Sequence, residues 1–451
     1  MKKLLYLLPL LVLTQGVYAF DVVYPKKNIV TINSPTTFFV GSSDKPLTIN
    51  EKKVDIHPSG GFAYFVDLNE GQNTFELKTE DEVQKFIITR PKKISGKFKE
   101  PQVTEYKELK NLEVTTDNAP LRSTPVDGGI NRLAHLQPAV QLQATGEKAG
   151  FYMVKLGDEK VGWISKSDVK ASSTKIEQGN FLDYEAINDK EFYIYVFHLD
   201  RRVPFEITEG ETFTLKFYNM KNCEKSVYIF EFPYTTLSGT KKIVGYSGYY
   251  DGNNFIFKVR KYPKVSQYRP LRGIKITIDP GHGGKENGAI GCLGDKEKDV
   301  VLSISKLLEK ELKHRGAKVY MTRSDDTYVG LRDRVDFAND NDSMFLISIH
   351  GNALPDTMNP LEHKGTSIYY YYPQAKLLAA NVLVSMNETA GTSNDKVRQQ
   401  SYALARNTDA VSILVETAYL INPDDNAKLI DEAFQINCAK AIADGIANYL
   451  K

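Results

Sequence analysis

Residues 274–284 of this chain read Ile274-Lys275-Ile276-Thr277-Ile278-Asp279-Pro280-Gly281-His282-Gly283-Gly284. The first half of this segment is typical of a strand, and the glycines after it permit a sharp turn that would aim His282 inward. Beyond the turn, predicted helices alternate with predicted strands, beginning with a helix that starts at Glu297. Alternation of this kind predicts an α/β domain with a mostly parallel sheet, which we assign to residues 271–451.

Two further polar residues follow the ends of predicted strands. His350 comes directly after the apolar run 344–349, and Glu416 comes after the run 412–415. Because ligands collect at the carboxyl ends of strands in open α/β sheets, we expect His282, His350 and Glu416 to meet at one edge of the sheet. Glu297 is expected at the same edge, since a carboxylate suits the positive end of a helix.

These four side chains are the groups that a hydrolytic zinc site needs. Zinc in such sites takes three protein ligands and one water, and two histidines with one carboxylate are an established set. A second carboxylate can accept a proton from the water and pass it to the leaving amine. The residues alone do not rank Glu297 against Glu416 for the two roles, and Asp295 and Asp299 remain alternatives to Glu297 as the ligand.

Seven short segments of this region, in this order, resemble the zinc-dependent N-acetylmuramoyl-L-alanine amidases of the type 3 class. They are Asp279-Pro280-Gly281-His282-Gly283-Gly284, Lys296-Glu297-Lys298-Asp299, Thr322-Arg323, Leu331-Arg332-Asp333-Arg334 with Ala338-Asn339, Ser348-Ile349-His350-Gly351-Asn352-Ala353, Gly365-Thr366, and Leu414-Val415-Glu416 with Asn422-Pro423. The resemblance implies that His282, Glu297 and His350 bind Zn²⁺ and that Glu416 is the general base. It also implies a substrate, the peptidoglycan amide between the lactyl group of muramic acid and L-alanine.

Two features depart from the family pattern. Some members carry a long insertion after the second histidine that folds over the site, whereas only residues 351–364 separate His350 from Gly365-Thr366 here. We therefore predict a cleft without a helical plug. The family usually has Gly-Phe soon after the catalytic glutamate, and this chain has Ala418-Tyr419, which we interpret as a packing variation.

The sequence leaves open the roles of two arginines and two alternative functions. Arg323 and Arg334 are predicted either to face a substrate or to pair with nearby acids. A zinc peptidase that cuts another amide, and a wall-binding protein without catalysis, are the alternative functions. The four intact candidate site residues argue against the second of these.

The first nineteen residues have the pattern of a signal peptide. Lys2 and Lys3 precede an apolar run over residues 4–14, and Val17-Tyr18-Ala19 is a suitable cleavage sequence. We therefore expect an exported protein of the periplasm or the extracellular cell envelope, with no membrane span after cleavage. The chain has 58 basic and 56 acidic residues, and this near balance gives no indication of nucleic-acid binding.

The residues between this leader and the α/β domain are predicted to form all-β modules. Residues 20–92 resemble an immunoglobulin-like module, and residues 93–110 are polar and are predicted to be a linker. Residues 111–172 resemble a bacterial SH3-like barrel, a domain type that often binds cell-wall material. Residues 173–270 are strand-like and are predicted to be a further β-rich module.

Single residues in these modules also carry predictions. Trp163 lies between Val161 and Ile164 and is expected to pack inward. A disulfide between two of Cys223, Cys292 and Cys438 is possible in an exported protein, with Cys438 expected to be buried.

Overall fold

The computed structural model describes residues 19–92, 100–233 and 242–451, so that nearly all of the predicted leader lies outside the described residues. The chain is multidomain, as predicted. Five sheets make up the part before residue 270, and an α/β domain with a six-stranded sheet follows. Within the described ranges, none of the helices combines the length and the apolarity that a membrane crossing requires.

The first part of the chain is a sandwich of two sheets with one apolar core. Its strands are β1 (Phe20–Tyr24), β2 (Ile29–Thr31), β3 (Thr36–Ser43), β4 (Thr48–Ile49), β5 (Lys52–Lys53), β6 (Gly61–Asp67), β7 (Gly71–Lys78) and β8 (Val83–Arg90). One sheet has the order β1-β3-β6 and the other has the order β2-β8-β7-β4-β5. Phe39 and Phe62 from the first sheet and Phe86 from the second are fully buried in the shared core.

A seven-stranded sheet follows, with the order β11-β10-β14-β13-β12-β9-β15. Its strands are β9 (Thr104–Val114), β10 (Ala119–Arg122), β11 (Arg132–Leu136), β12 (Gln141–Lys148), β13 (Phe151–Leu156), β14 (Lys160–Ser165) and β15 (Val169–Ala171). Trp163 is buried, as expected.

The predicted linker over residues 93–110 is corrected by this sheet. Residues 93–99 lie outside the described part, but β9 already begins at Thr104 and pairs with β12. The polar residues that suggested a linker are mostly exposed side chains of this long strand. Pairing of β9 and β12 fills the backbone hydrogen bonds, so the strand needs few apolar residues of its own.

Two further sheets pack against the seven-stranded one. Their strands are β16 (Phe181–Asn188), β17 (Phe192–Leu199), β18 (Phe205–Thr208), β19 (Thr212–Tyr218), β20 (Val227–Pro233), β21 (Tyr246–Asp251) and β22 (Asn254–Arg260). The sheet orders are β16-β17-β22-β21 and β18-β19-β20. Buried phenylalanines such as Phe197, Phe217 and Phe257 share one core cluster with Leu121 and Ile164 of the preceding sheet.

The α/β domain has the sheet order β24-β23-β25-β28-β26-β27. Its strands are β23 (Lys275–Pro280), β24 (Lys318–Met321), β25 (Phe345–Asn352), β26 (Thr366–Tyr370), β27 (Asn394–Gln399) and β28 (Val411–Tyr419). Its helices are α1 (Glu297–His314), α2 (Leu331–Asp340), α3 (Lys376–Ser385), α4 (Pro423–Leu429) and α5 (Glu432–Leu450). Only the β26–β28 pair is antiparallel, which confirms the prediction of a mostly parallel sheet.

The helices cover the sheet from two sides. Helices α1, α3 and α5 pack together in the main core with the buried strand residues Ile278, Ile347 and Ile413. Helix α2 contributes Ala338 to a smaller cluster that also contains Leu346. Strands β23, β25 and β28 are therefore covered on both faces, and their carboxyl ends lie side by side at one edge.

The β modules contact the α/β domain at several places. The first sandwich does so through Asp356, whose Oδ1 accepts hydrogen bonds from Tyr24 Oη at 2.7 Å and from Thr37 Oγ1 at 2.6 Å. The later modules use ion pairs: Arg260 with Asp342 at 2.5 Å and Asp117 with Arg332 at 2.9 Å. An apolar cluster accompanies the first contact; its buried members are Phe38, Val40, Ala63, Cys292 and Ile421.

The cysteines are all unpaired. Cys438 and Cys292 are buried and Cys223 is partly exposed, so the structure contains no disulfide among them. The expected burial of Cys438 is confirmed.

Candidate metal centre

Three side chains from three different elements meet at the carboxyl edge of the sheet. His282 lies in the turn after β23, Glu297 is the first residue of α1, and His350 lies near the end of β25. His282 Nε2 is 3.1 Å from Glu297 Oε1, and His350 Nδ1 is 3.0 Å from the same oxygen. One potential ligand atom from each residue lies within 4.8 Å of the other two.

These spacings fit a divalent metal ion of the size of zinc. Zinc–nitrogen and zinc–oxygen bonds of ~2.0–2.1 Å in a tetrahedral site place neighbouring ligand atoms ~3.3 Å apart. The two nitrogen–oxygen distances at Glu297 are close to that value. The donor set of two imidazoles and one carboxylate is also one that zinc accepts, so His282, Glu297 and His350 could hold the ion without a large rearrangement.

The turn after β23 brings His282 to this position through an uncommon backbone conformation. His282 has a φ of 58°, in the left-handed region, and Gly283 next to it has a φ of 122°. At Gly281 a Cβ atom would lie 2.3 Å from His350 Cε1. A side chain at position 281 would therefore displace the second imidazole, so the turn and the end of β25 can approach this closely only with glycine there.

Two buried arginines hold the backbone of the turn. Arg323 Nη2 donates to Gly281 O at 2.7 Å, and Arg334 Nη2 donates to His282 O at 2.6 Å. Arg334 Nη1 also forms an ion pair with Asp279 Oδ1 at 2.7 Å, and both partners are almost completely buried. The sequence left these arginines between substrate contact and pairing with nearby acids, and the structure shows that their hydrogen bonds position the turn. Asp279, at the end of the strand itself, was missed as the partner.

Glu297 is fixed by backbone donors as well as by the histidines. Its Oε2 accepts from Ala289 N at 2.8 Å, and its Oε1 accepts from Gly351 N at 3.1 Å. Burial would raise the pKa of Glu297, but the hydrogen bonds with His282 and His350 outweigh burial and lower this pKa well below its usual range. The carboxylate is therefore ionised, which is the form that binds a cation.

The pKa of His350, the histidine in β25, shifts upward, opposite to that of Glu297. Burial lowers the pKa of His350, but its hydrogen bond with Glu297 and the charge of that carboxylate raise the pKa to about 8. Without a metal ion, a proton on His350 compensates the negative charge of Glu297. A bound divalent cation would replace that proton, since metal-ligating histidines are neutral.

The two alternative ligands near Glu297, Asp295 and Asp299, do not converge with the histidines. Asp295 accepts two hydrogen bonds from Asn426 Nδ2, at 2.8 and 3.0 Å, and is engaged with helix α4. Asp299, two residues into α1, is not part of the converging group.

The fourth predicted site residue, Glu416, lies in β28 directly opposite His350 in the adjacent strand. Its Oε2 is buried and has no hydrogen-bond partner among the described residues. Burial raises the pKa of Glu416 to about 7, with the charge of His350 opposing and that of Glu297 supporting the rise. A carboxyl group in this state can both accept and release a proton near neutral pH.

A polar network beside Glu416 was not predicted. Asp395 of β27 accepts from Ser367 Oγ at 2.5 Å and from Tyr419 Oη at 2.6 Å, and it pairs with Arg398 at 3.0 Å. Ser367 is the register partner of Glu416 in the antiparallel pair β26–β28. No pattern in the sequence indicated this network, because its members come from three strands whose pairing is only visible in the fold.

The segment after His350 is short in the structure too. Over residues 351–364 the only helical element is the 3₁₀ helix Pro360–Glu362. Asp356, in the same segment, contacts the first sandwich. The segment thus contains no helical plug, as the sequence predicted.

Comparison with known proteins finds relatives of the α/β domain. Residues 276–448 match the family model described as N-acetylmuramoyl-L-alanine amidase. The protein named "Probable cell wall amidase LytH" from Staphylococcus epidermidis is 37% identical over 182 residues, which are 40% of this chain and 60% of that protein. Its counterpart of the same name from Staphylococcus aureus is 35% identical over 187 residues, 41% of this chain and 61% of that protein. The chain thus spans about 60% of the length of these curated relatives.

Among solved structures, the N-acetylmuramoyl-L-alanine amidase AmiC2 of Nostoc punctiforme is 34% identical. The match covers 41% of this chain and 98% of that chain, with a TM-score of 0.38.

Proposed function

We propose that this chain is a cell-wall hydrolase of the N-acetylmuramoyl-L-alanine amidase family, whose model residues 276–448 match. Its substrate would be the peptidoglycan amide between the lactyl group of N-acetylmuramic acid and L-alanine. The observation that carries this proposal is the convergence of His282, Glu297 and His350 beside Glu416, whose buried Oε2 has no hydrogen-bond partner among the described residues. A hydrolytic metal site needs both parts, three ligands and one free base.

We assign the roles as follows: His282, Glu297 and His350 are the ligands of Zn²⁺, and Glu416 is the general base. When bound, the zinc ion supplies a Lewis acid and lowers the pKa of water. Glu416 accepts the proton of the attacking water on its carboxylate and passes it to the nitrogen of the leaving L-alanine. The pKa of Glu416 near 7 suits both transfers, because neither protonation state is strongly favoured.

The remaining expectations complete this proposal. Residues 1–19 act as a signal peptide, so that the mature protein works in the cell envelope, in the periplasm or outside the cell. The immunoglobulin-like module, the SH3-like module, which begins at β9, and the β-rich module position the catalytic domain on the wall. These assignments are supported by the all-β character of the described residues before 270 and by the cell-wall amidases that resemble the catalytic domain.

Metal removal tests the proposal. The purified protein is treated with a chelator, dialysed, and assayed on isolated peptidoglycan with and without added Zn²⁺. We expect cleavage to disappear after chelation and to return with zinc, because the water and the substrate carbonyl lose their activation without the ion. Mass spectrometry should show released stem peptides with a free L-alanine amino group.

Each alternative has a distinct outcome. Unchanged cleavage in the chelated and metal-free protein would exclude the zinc mechanism. Release of peptides cut at another amide would identify a zinc peptidase of different specificity. Binding to the wall without any product, with zinc present in stoichiometric amount, would leave a wall-binding protein.

A further inference from the structure

A cavity that is lined by none of the candidate metal-site residues lies where the β modules meet the α/β domain. Its volume is about 620 Å³, and its walls come from β10 and β11, from β21, and from helix α2 with residues 403–409. Residues 403–409 precede the first residue of β28, whereas Glu416 lies near the other end of that strand.

Two arginines in the wall of this cavity have no acidic partner. Arg132 contacts His135 Nε2 through Nη1 at 3.1 Å, and Arg406 donates to Ser401 O at 2.6 Å. No carboxylate of the described residues forms an ion pair with either guanidinium. By contrast, Arg332, which also lines this cavity, forms ion pairs with both Asp117 and Asp336.

The positive charge of the two arginines is partly desolvated, and Asp127, the carboxylate whose charge acts on Arg406, is already paired with Arg122 at 2.7 Å. Burial, followed by the charges of Arg406 and Arg122, lowers the pKa of Arg132 to about 10. Burial, followed by the charges of Arg132 and Arg406, lowers the pKa of His135 to about 3. This imidazole is therefore neutral and can accept a hydrogen bond from Arg132. Each cation in the cavity therefore raises the electrostatic cost of the next one.

The acids that line the cavity do not relieve this charge. Asp336 is engaged by Arg332 at 3.1 Å. Asp409 accepts a hydrogen bond from Ser247, and Lys258 and Arg260 are the cations that act on its pKa. The guanidinium groups of Arg132 and Arg406 thus face a space that is large enough for a ligand and that has an excess of positive charge.

We propose that this cavity is an accessory binding site for an oxyanion, a carboxylate or a phosphate group, held by Arg132 and Arg406. Guanidinium groups bind both anions through paired hydrogen bonds of matching geometry. The identification of the anion rests on the proposed function: a wall hydrolase meets carboxylates on the stem peptides and phosphates on anionic wall polymers. Occupation of the site would anchor the enzyme to the polymer at a second point while the metal centre cuts.

Direct binding to the full chain tests this site without any turnover. The Glu416→Gln variant is titrated calorimetrically with three probes: a synthetic stem pentapeptide with a free terminal carboxylate, the same peptide as its amide, and an oligomer of glycerol phosphate. At least one anionic probe should bind with one-to-one stoichiometry. Weaker binding of the amide would identify the carboxylate as the ligand group, and binding of the oligomer would identify the phosphate.

Substitutions then locate the site. Arg132→Gln and Arg406→Gln, each in the Glu416→Gln background, should weaken binding at least tenfold, and Arg132→Lys should weaken it less because the charge remains. Arg269→Gln is the matched control, because Arg269 is exposed and lies outside the cavity. Thermal unfolding shows which variants are folded. If Arg132→Gln does not fold, the binding affinity of Arg406→Gln tests the site.

Three results would overturn the proposal: no anionic probe binds, binding is unchanged in the folded Arg132 and Arg406 variants, or Arg269→Gln weakens it equally. These results are independent of the proposed reaction. A wild-type chain that binds a probe in the cavity but cleaves no peptidoglycan would contradict the amidase function alone, and one that cleaves but does not bind would contradict the accessory site alone.

Discussion

At the scale of single residues, the most informative group is the carboxyl of Glu416. Its Oε2 is buried without a partner among the described residues, an arrangement that costs stability and is rarely retained in a core. The charges of His350 and Glu297 act on it, which places it beside the candidate ligands. A carboxyl group in this position is better explained by proton transfer than by folding.

Replacing this carboxyl by an amide tests the assignment. Glu416→Gln preserves the shape but cannot accept the proton, so we expect kcat to fall ~10²-fold or more. The zinc content should remain unchanged, since Glu416 is not among the converging ligands. Cleavage kinetics on purified peptidoglycan and metal analysis by mass spectrometry provide the two measurements.

The control for this substitution is Glu388→Gln, at an exposed glutamate of the same domain. It should leave kcat unchanged. Activity of the Glu416 variant within a factor of two of the wild type would show that another group is the base.

At the scale of elements, the turn between β23 and α1 determines how closely the two histidines approach. Its backbone carbonyls at Gly281 and His282 are held by Arg323 and Arg334. The buried pair of Arg334 with Asp279 connects the turn to helix α2. Loss of one partner of such a buried pair would leave an uncompensated charge and would be strongly destabilising. The two side chains therefore stay paired, and the turn keeps its position against helix α2.

The closest approach in this turn is at Gly281, and Gly281→Ala tests it. The added Cβ would lie 2.3 Å from His350 Cε1 and 2.6 Å from Nε2, so the ring has to move. We expect zinc affinity to fall at least tenfold, measured by competition with a fluorescent chelator, and activity at limiting zinc to fall with it.

Gly210→Ala is the corresponding control, because a Cβ at that position would meet no atom closer than 3.5 Å. It should bind zinc like the wild type. Unaltered zinc affinity in Gly281→Ala would show that the metal does not lie between these residues.

At the scale of the whole molecule, the first sandwich is attached to the segment that follows His350. Asp356 accepts hydrogen bonds from Tyr24 and Thr37, and an apolar cluster that includes Cys292 and Ile421 lies beside them. The segment thus connects the module to the strand that carries a candidate ligand. Its conformation therefore depends on the module as well as on the α/β domain.

Removal of this carboxylate should loosen the contact. Asp356→Ala eliminates two hydrogen bonds to a charged acceptor. Each such bond contributes up to about 3 kcal/mol to the free energy of unfolding. We expect faster hydrogen–deuterium exchange in residues 351–364 and in β3, together with a lower unfolding temperature.

A comparison with Asp424→Ala separates this contact from a surface ion pair. Asp424 is 57% exposed and lies 3.6 Å from His57 and 3.9 Å from Lys364, so each of these surface ion pairs contributes about 0–1 kcal/mol. Equal exchange rates in the Asp356 variant and the wild type would contradict the proposed coupling of module and segment.

The sequence by itself determined the α/β domain and the edge at which its polar residues meet. Buried parallel strands have apolar patterns that end abruptly, and parallel pairing puts the ends of β23, β25 and β28 side by side. Local patterns therefore sufficed to predict that His282, His350 and Glu416 lie at one edge. By contrast, α3 and β27 were not predicted, because α3 is apolar over most of its surface and β27 is a polar edge strand.

Tertiary structure alone decided which acid joins the histidines, which groups hold the turn, and how the modules attach. Glu297 rather than Asp295 converges with the imidazoles because Asn426, 131 residues further on, engages Asp295. Asp279 meets Arg334 across 55 positions, and Asp356 meets Tyr24 across 332. Contacts between residues so distant along the chain depend on how elements pack, and local periodicity carries no information about them.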